Sequence, residues 1–176
     1  MSYRDDRAWS DKYLPQVRNI IGPKLLVTAP MEEDTKQSTD LLVLTARDMR
    51  IGVRIRRPGF AERYPSQFTL RSSRDSGAET ELSKIVNGWG DWFFYGHASE
   101  GDVSLARWML VDLDSFRAHL IRNKNPELTR SKGEISVGKM SNGDGTHFAW
   151  FDARTFPSVP PLLIAASHDL RLEVAA

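Results

Sequence analysis

Residues 50–57 read RIGVRIRR, and the strict alternation of apolar and polar side chains predicts a β-strand with one buried face. Ile51, Val53 and Ile55 would form that buried face. The preceding residues 40–46 read DLLVLTA, a short apolar run headed by an acidic residue. Only a short link separates the two runs, so the sequence predicts that they pair as an antiparallel hairpin.

The rest of the chain shows helical patterns between strand patterns. Apolar residues at helical spacing predict helices at residues 9–21, 80–89 and 114–124. Short apolar runs predict further strands at residues 24–29, 91–98, 106–113, 133–141 and 146–156, and one more near the C-terminus. Strands separated by helices indicate an α/β fold with a mixed central sheet flanked by helices. We expect a single domain over residues 1–176 that ends in a C-terminal β-hairpin at residues 133–156.

Two of the helices carry specific expectations about their buried residues. The stripe that would face the core in the helix at 80–89 consists of Leu82, Ile85, Val86 and Trp89. The helix at 114–124 would begin with Asp114 as its N-cap. Its inward-facing residues would be Phe116, Leu120 and Ile121.

Composition restricts the possible chemistry. The chain has 176 residues, no cysteine and a formal net charge of +1. The absence of cysteine excludes a disulfide framework, a thiolate metal site and a thiol nucleophile, and it suits the cytoplasm. The charged N-terminal residues lack the apolar segment of a secretory signal, and no apolar run approaches the ~20 residues that span a bilayer. We therefore expect a cytoplasmic protein without a membrane partner.

Arginine residues are concentrated between positions 47 and 74. They are Arg47, Arg50, Arg54, Arg56, Arg57, Arg63, Arg71 and Arg74, opposed by Asp48 and Glu62. A guanidinium group binds a phosphate through two parallel N–H bonds, so this run favours a nucleic-acid partner. The residues that would contact it are Arg50, Arg54, Arg56 and Arg57. The alternative interpretation is a solvated strand face.

The order of elements over about residues 9–124 resembles the PD-(D/E)XK, or restriction-endonuclease-like, nuclease superfamily. In that family an Asp opens one strand, an acid-x-Lys triplet closes the next, and a helix and another strand follow. Asp40 matches the first position, and residues 53–57 stand where the triplet falls. The chain departs from the motif there, because Arg54 takes the place of the acid and Arg56 that of the lysine.

The resemblance implies hydrolysis of DNA phosphodiesters with Mg²⁺ or Mn²⁺, by an endonuclease or resolvase-like enzyme of the kind that phages and mobile elements carry. Asp40 would be a catalytic metal ligand, and Glu33 or Glu81 would complete the metal site, since two carboxylates suit a hard cation. The groups that would contact the scissile phosphate are Lys84 and Arg56. Such enzymes are usually dimers, so the resemblance also implies a possible homodimer.

A second interpretation keeps the fold without the metal, as a non-catalytic nucleic-acid-binding or partner-binding protein such as an adaptor or inhibitor. Arg54 and Arg56 favour it, because a cationic site repels Mg²⁺ and attracts phosphate. The aromatic residues from Trp89 to Tyr95 are mostly core by their periodicity, but an exposed Trp or Tyr among them would stack on a base. Four residues without zinc-ligand spacing are interpreted as structural or surface groups: His97, His119, His147 and His168.

Overall fold

The computed structural model describes residues 3–28, 41–43, 49–122 and 135–167. The chain divides into two compact units, Met1–Met49 and Arg50–Ala176. The single domain over residues 1–176 stays a prediction. Among the described residues, no helix is long and apolar enough to cross a membrane.

In the first unit, the described residues form two short helices and a two-stranded antiparallel ribbon. Its elements are α1 (Tyr3–Asp11), α2 (Leu14–Ile21), a 3-10 turn (Gly22–Leu25), β1 (Leu26–Thr28) and β2 (Leu41–Val43). The single helix predicted at 9–21 is divided, because Pro15 has no N–H group and fits only the first turn of α2. The strand predicted at 24–29 is confirmed as β1.

The described residues of the second unit form two sheets, two α-helices and a 3-10 turn (Ala153–Thr155). Its elements are β3 (Ile51–Arg56), β4 (Gln67–Arg74), α3 (Glu81–Val86), β5 (Trp92–Ala98), β6 (Leu105–Asp112), α4 (Leu113–Arg122), β7 (Val137–Ser141), β8 (Thr146–Asp152) and β9 (Leu163–Ala166). A mixed four-stranded sheet has the order β3-β5-β6-β9, and a three-stranded antiparallel sheet has the order β4-β8-β7. The α/β class with a mixed sheet is thus confirmed, whereas the second sheet was not predicted.

The predicted hairpin between residues 40–46 and 50–57 is wrong. Strand β2 pairs with β1, and β3 pairs in parallel with β5, so the two runs belong to different sheets. Alternation at 50–57 correctly predicts a strand, but a period of two does not specify which strand lies beside it. The C-terminal hairpin is confirmed, with β7 and β8 joined by a turn in which the Asn142 N–H donates to the Thr146 carbonyl oxygen at 2.9 Å.

The burial of β3 differs from the predicted pattern. Ile55 is buried, but Val53 is 36% exposed, although both were predicted to face the core. The arginine side chains of β3 are partly buried instead. Because β3 is the edge strand of its sheet, neither of its faces is fully covered, and long arginine stems can lie along the protein surface.

The helices of the second unit bury fewer residues than predicted. In α3, which Thr80 caps, Ile85 is buried and Leu82 packs against the core, but Val86 and Trp89 are 54% and 58% exposed. The stripe prediction is therefore wrong for its last two members, because α3 ends at Val86 and Trp89 follows it. In α4 the Phe116 side chain is fully buried.

The start of α4 and one of its inward positions also differ from the prediction. The Asp112 carboxylate accepts a hydrogen bond from the Ser115 N–H at 2.7 Å, as an N-cap does, so Asp112 replaces the predicted Asp114. Ile121 is 75% exposed and was wrongly assigned to the core.

The core of the second unit lies between the two sheets and under α4. It joins residues of β5 and β6 to residues of β4, β7 and β8 in one buried cluster. Its centre is aromatic: the Phe68 ring lies 5.3 Å from the Phe151 ring and 5.7 Å from the Phe116 ring, measured between centroids. This packing fixes which face of β5 is the inner face of the four-stranded sheet.

Candidate nucleic-acid interface

The inner face of the four-stranded sheet changes from apolar to basic along β3, β5 and β6. Residues in register across these strands form three rows, in order Gly52–Phe93–Val111, Arg54–Tyr95–Met109 and Arg56–His97–Arg107. A Cβ at Gly52 would lie 3.0 Å from Cδ2 of Phe93, so the two residues share this face. We call Arg56, His97 and Arg107 the basic row.

Arg54 forms the only described ion pair of β3. Its Nη2 lies 2.7 Å from Oε2 of Glu81, the first residue of α3, and the two side chains are 16% and 27% exposed. The same carboxylate oxygen accepts a hydrogen bond from the Arg71 backbone N–H at 3.2 Å. The Glu81 carboxylate is thus bound by the Arg54 guanidinium group and by the Arg71 backbone N–H.

Arg71 and Arg74 bring further charge to Arg54. The Nε atoms of Arg71 and Arg74 are buried and have no hydrogen-bond partner among the described residues. Burial, followed by repulsion from Arg74 and Arg54, lowers the pKa of Arg71 below its usual range. The Arg71 guanidinium group is therefore repelled by both of these arginines on a partly desolvated surface.

Aromatic rings lie under several of these guanidinium groups. The Arg54 and Arg71 guanidinium carbons lie 5.3 and 5.7 Å from the centroid of the Phe148 ring. Further contacts of 4.5 Å and 5.3 Å join Arg56 to Phe60 and Arg50 to the exposed Trp89. Each ring attracts the cation above it and restricts its position. We call the following residues the arginine face: Arg50, Arg54, Arg56, Arg71 and Arg74.

His97 is the most unusual group beside the arginine face. Its side chain is 1% exposed, and neither ring nitrogen has a hydrogen-bond partner among the described residues. Burial, with added repulsion from Arg56 and Arg107, lowers the pKa of His97 to about 4. The imidazole is therefore neutral at physiological pH.

The predicted metal and catalytic residues are only partly described. Asp40 and Glu33 lie outside the described residues, so the convergence predicted for them with Glu81 stays a prediction. Lys84 is exposed on α3. Within the described ranges, no group of three or more His, Cys, Asp or Glu residues is placed to hold a metal ion.

The four arginines predicted to contact nucleic acid lie in different positions in the fold. Arg54 and Arg56 lie together on the inner face, and Arg50 precedes them beside Trp89. Arg57 follows the end of β3 and is partly buried. Arg71 and Arg74 were not predicted among these contacts, because β4 was not predicted.

His97 and Arg107 were also missed as site residues. His97 was interpreted as a structural or surface group because no ligand partner stands at a regular spacing from it in the sequence. The two residues become neighbours only through the pairing of β5 with β6. The alternation of DWFFYGHA places His97 on the same face as Phe93 and Tyr95, and this was the one available signal.

A separate chain of hydrogen bonds joins Asp75, His147 and Ser141. Oδ1 of Asp75 lies 2.8 Å from Nε2 of His147, and Oγ of Ser141 lies 2.7 Å from Nδ1. The Asp75 side chain is 73% exposed, so water screens the ionic part of this interaction. Because the three residues lie on or beside β4, β8 and β7, we interpret these hydrogen bonds as structural contacts that stabilise the C-terminal hairpin against β4.

No family model, curated protein or solved structure matches this chain.

The low pKa of His97 predicts a specific loss of stability in acid. An unfolded histidine titrates near 6.5, whereas His97 in the fold titrates near 4, so the unfolded chain takes up the proton first as the pH falls. Between these values stability should decrease by about 1.4 kcal/mol per pH unit because of this group. In urea unfolding at pH 7, 5.5 and 4.5, His97→Phe should lack this component. Parallel pH curves for the wild type and the variant would contradict the assignment.

Proposed function

We propose that this chain binds nucleic acid through the arginine face. The observation that carries the proposal is the shared contact of Arg54 and Arg71 with the Phe148 ring, beside the charge of Arg74, with two buried Nε donors that lack partners among the described residues. The carboxylates of Glu81 and Asp144 offset only part of this positive charge. A polyanion at this surface would relieve the repulsion that Arg54 and Arg74 exert on Arg71. Arginine forks match the geometry of phosphate oxygens better than lysine does.

The spacing along β3 supports a linear ligand. A strand rises about 3.3 Å per residue, so the Cα atoms of Arg50 and Arg56 stand about 20 Å apart. Phosphates follow one another along a nucleic-acid backbone, so several of them can meet this line of arginines at once. Each contact releases condensed counterions, which makes such binding strongly dependent on salt.

The aromatic residues favour a single strand over a duplex. Trp89 is 58% exposed beside Arg50, and Arg56 lies on the Phe60 ring. Exposed rings stack on unpaired bases, whereas the bases of a duplex are already stacked on one another. The exposure of Trp89, which the periodicity assigned to the core, thus becomes the feature that selects the substrate class.

The metal-dependent DNA nuclease is the competing proposal. Its Mg²⁺ or Mn²⁺ would bind Asp40 with Glu33 or Glu81, on the restriction-endonuclease-like core that the resemblance implies. Glu81 is bound to Arg54, so a dication would have to displace a guanidinium group from a carboxylate at 2.7 Å. The nearby charges of Arg71 and Arg74 oppose that exchange. We therefore place anion binding before metal binding at this site.

The arginines should determine the salt dependence of binding. For Arg54→Ala/Arg56→Ala, the slope of log K against log salt should flatten by about 1.4, since each phosphate contact on a single strand contributes about 0.7. The measurement is fluorescence anisotropy of a labelled single-stranded oligonucleotide between low and physiological salt. The double variant Arg18→Ala/Arg122→Ala is the control, because it removes the same charge from two exposed positions outside the arginine face. Equal slopes for both variants would remove the arginine face from the proposal.

Trp89 should contribute to single-strand binding alone. Trp89→Ala should weaken binding of the single strand by about 1–3 kcal/mol, the usual loss of one stacked base, and leave a duplex of the same sequence unaffected. Val86→Ala is the matched control, because Val86 is an apolar residue of similar exposure at the end of α3, three positions before Trp89. A similar loss for the duplex, or for Val86→Ala, would count against a stacking role.

Glu81 separates the two proposals by the sign of its effect. If the site binds phosphate, Glu81→Gln frees Arg54 and should tighten nucleic-acid binding by a few-fold, because the variant removes a negative charge beside a polyanion. If the site binds metal, Asp40→Asn and one of the two variants Glu81→Gln and Glu33→Gln, whichever removes the second ligand, should abolish cleavage that requires Mg²⁺ or Mn²⁺. The assay combines anisotropy with incubation of linear, branched and single-stranded DNA and RNA. Metal-dependent cleavage lost in Asp40→Asn and in one of the two Gln variants would replace the binding proposal with the nuclease.

A further inference from the structure

The basic row contains a buried imidazole whose hydrogen-bonding capacity is unused. Neutral histidine has one ring N–H donor and one acceptor, and both nitrogens of His97 are buried without a partner among the described residues. A buried polar atom without a partner costs folding free energy, which an apolar side chain of similar size would avoid. A ligand that accepts a hydrogen bond from the ring would recover part of this cost.

The strand register places an arginine on each side of this imidazole. Arg56 lies beside His97 on β3, and Arg107 lies beside it on β6. Neighbouring strands are about 4.8 Å apart, so the two arginine backbones stand about 10 Å apart with the ring between them. Guanidinium side chains are long enough to converge over the ring on one anion. The register shifts directly after His97, an irregularity that proteins often use to redirect side chains at a site.

The turn that follows β3 contributes one residue to each arginine of the row. The Phe60 ring lies 4.5 Å from the guanidinium carbon of Arg56. Oε1 of Glu62 lies 3.5 Å from Nη2 of Arg107, although the Glu62 side chain is 87% exposed. A solvated carboxylate at this distance binds weakly. Glu62 therefore gives Arg107 an anionic partner that another anion can replace.

The charges of the row suit a phosphomonoester better than a phosphodiester. Two guanidinium groups carry two positive charges, and the imidazole is neutral. A monoester phosphate carries between 1.5 and 2 negative charges near neutral pH, roughly, and offers three acceptor oxygens. A diester carries one charge and two free oxygens. The row therefore matches the end of a strand, or a small phosphorylated molecule, rather than the interior of a strand.

We propose that the basic row binds one phosphomonoester group, which displaces the Glu62 carboxylate from Arg107, pairs with Arg56 and Arg107, and accepts a hydrogen bond from the His97 ring. The terminal phosphate of a nucleic-acid strand is the source that rests on the proposed function. A free phosphomonoester offers the same chemistry without it.

The first experiment measures thermal unfolding with inorganic phosphate as the probe, against a buffer of equal ionic strength without it. Phosphate should raise the Tm of the wild type, since a ligand that binds only the folded state stabilises it. His97→Phe should have a higher Tm than the wild type in the phosphate-free buffer and should lose the rise with phosphate. If His97 had only a structural role, His97→Phe would not combine a higher Tm without phosphate with the loss of the rise in phosphate. Arg63→Ala, which removes an exposed arginine from the same turn, should keep the full rise.

A second variant and a spectroscopic signal guard against misfolding of His97→Phe. Arg107→Gln removes one charge of the row and should weaken phosphate binding by about tenfold or more, equivalent to about 1.4 kcal/mol. In the wild type, NMR should show the pKa of His97 rising from about 4 when phosphate binds, because a dianion favours the imidazolium form. The groups that face the ring in this titration are Arg56, Arg107 and Tyr95, with Glu62 on Arg107.

The source of the phosphate is decided with two oligonucleotides that differ only at the 5′ end. Tighter binding of the 5′-phosphorylated strand than of the 5′-hydroxyl strand, lost in Arg107→Gln, supports a strand terminus. Equal binding of the two strands, with phosphate stabilisation retained, supports the site with a free phosphomonoester. Absence of both effects overturns the site. If the salt slope carried by Arg54 persists in that case, the nucleic-acid proposal survives, whereas loss of all strand binding overturns both.

Discussion

The parallel pairing of β3 with β5 sets the position of the charged groups that matter in this molecule. Its register places Arg54 beside Tyr95 and Arg56 beside His97, so the arginines of an edge strand lie on the inner face of the sheet. The aromatic core between the two sheets holds β5 in place and therefore holds this register. If β3 moved by one residue, Arg54 and Arg56 would point to the opposite face.

Arginine is tolerated on this inner face because each guanidinium group has a compensating contact. Arg54 has the Glu81 carboxylate, while Arg54 and Arg71 also lie against the Phe148 ring. These contacts offset only part of the cost of burial and of crowding like charges, which together lower the pKa of Arg71. The remaining positive charge attracts an anion. Because the side chains are already restricted, binding that anion costs little further side-chain entropy.

The sequence predicted the elements of this fold better than their arrangement. Alternation predicted β3, and turn residues predicted the hairpin of β7 and β8, because these signals are local. The pairing of β3 with β5 depends on residues about forty positions apart, which periodicity does not encode. Strand β4 was missed because its residues 71–74 read RSSR, without the apolar alternation of a half-buried strand. Since β4 supplies Arg71 and Arg74, the site could be predicted only in part.

The position of Glu81 explains why the same residues suggested both a metal site and a phosphate site. On the sequence, an acidic residue at the start of a helix and a basic strand before it match either function. In the fold, the carboxylate contacts Arg54 and accepts the Arg71 backbone N–H, so it already balances positive charge. A dication placed there would meet the guanidinium groups of Arg54, Arg71 and Arg74 against the two carboxylates of Glu81 and Asp144. A phosphate would be attracted by the same excess of positive charge. The excess of positive charge around Glu81 therefore favours a bound anion over a bound metal ion, even though an acidic residue is present.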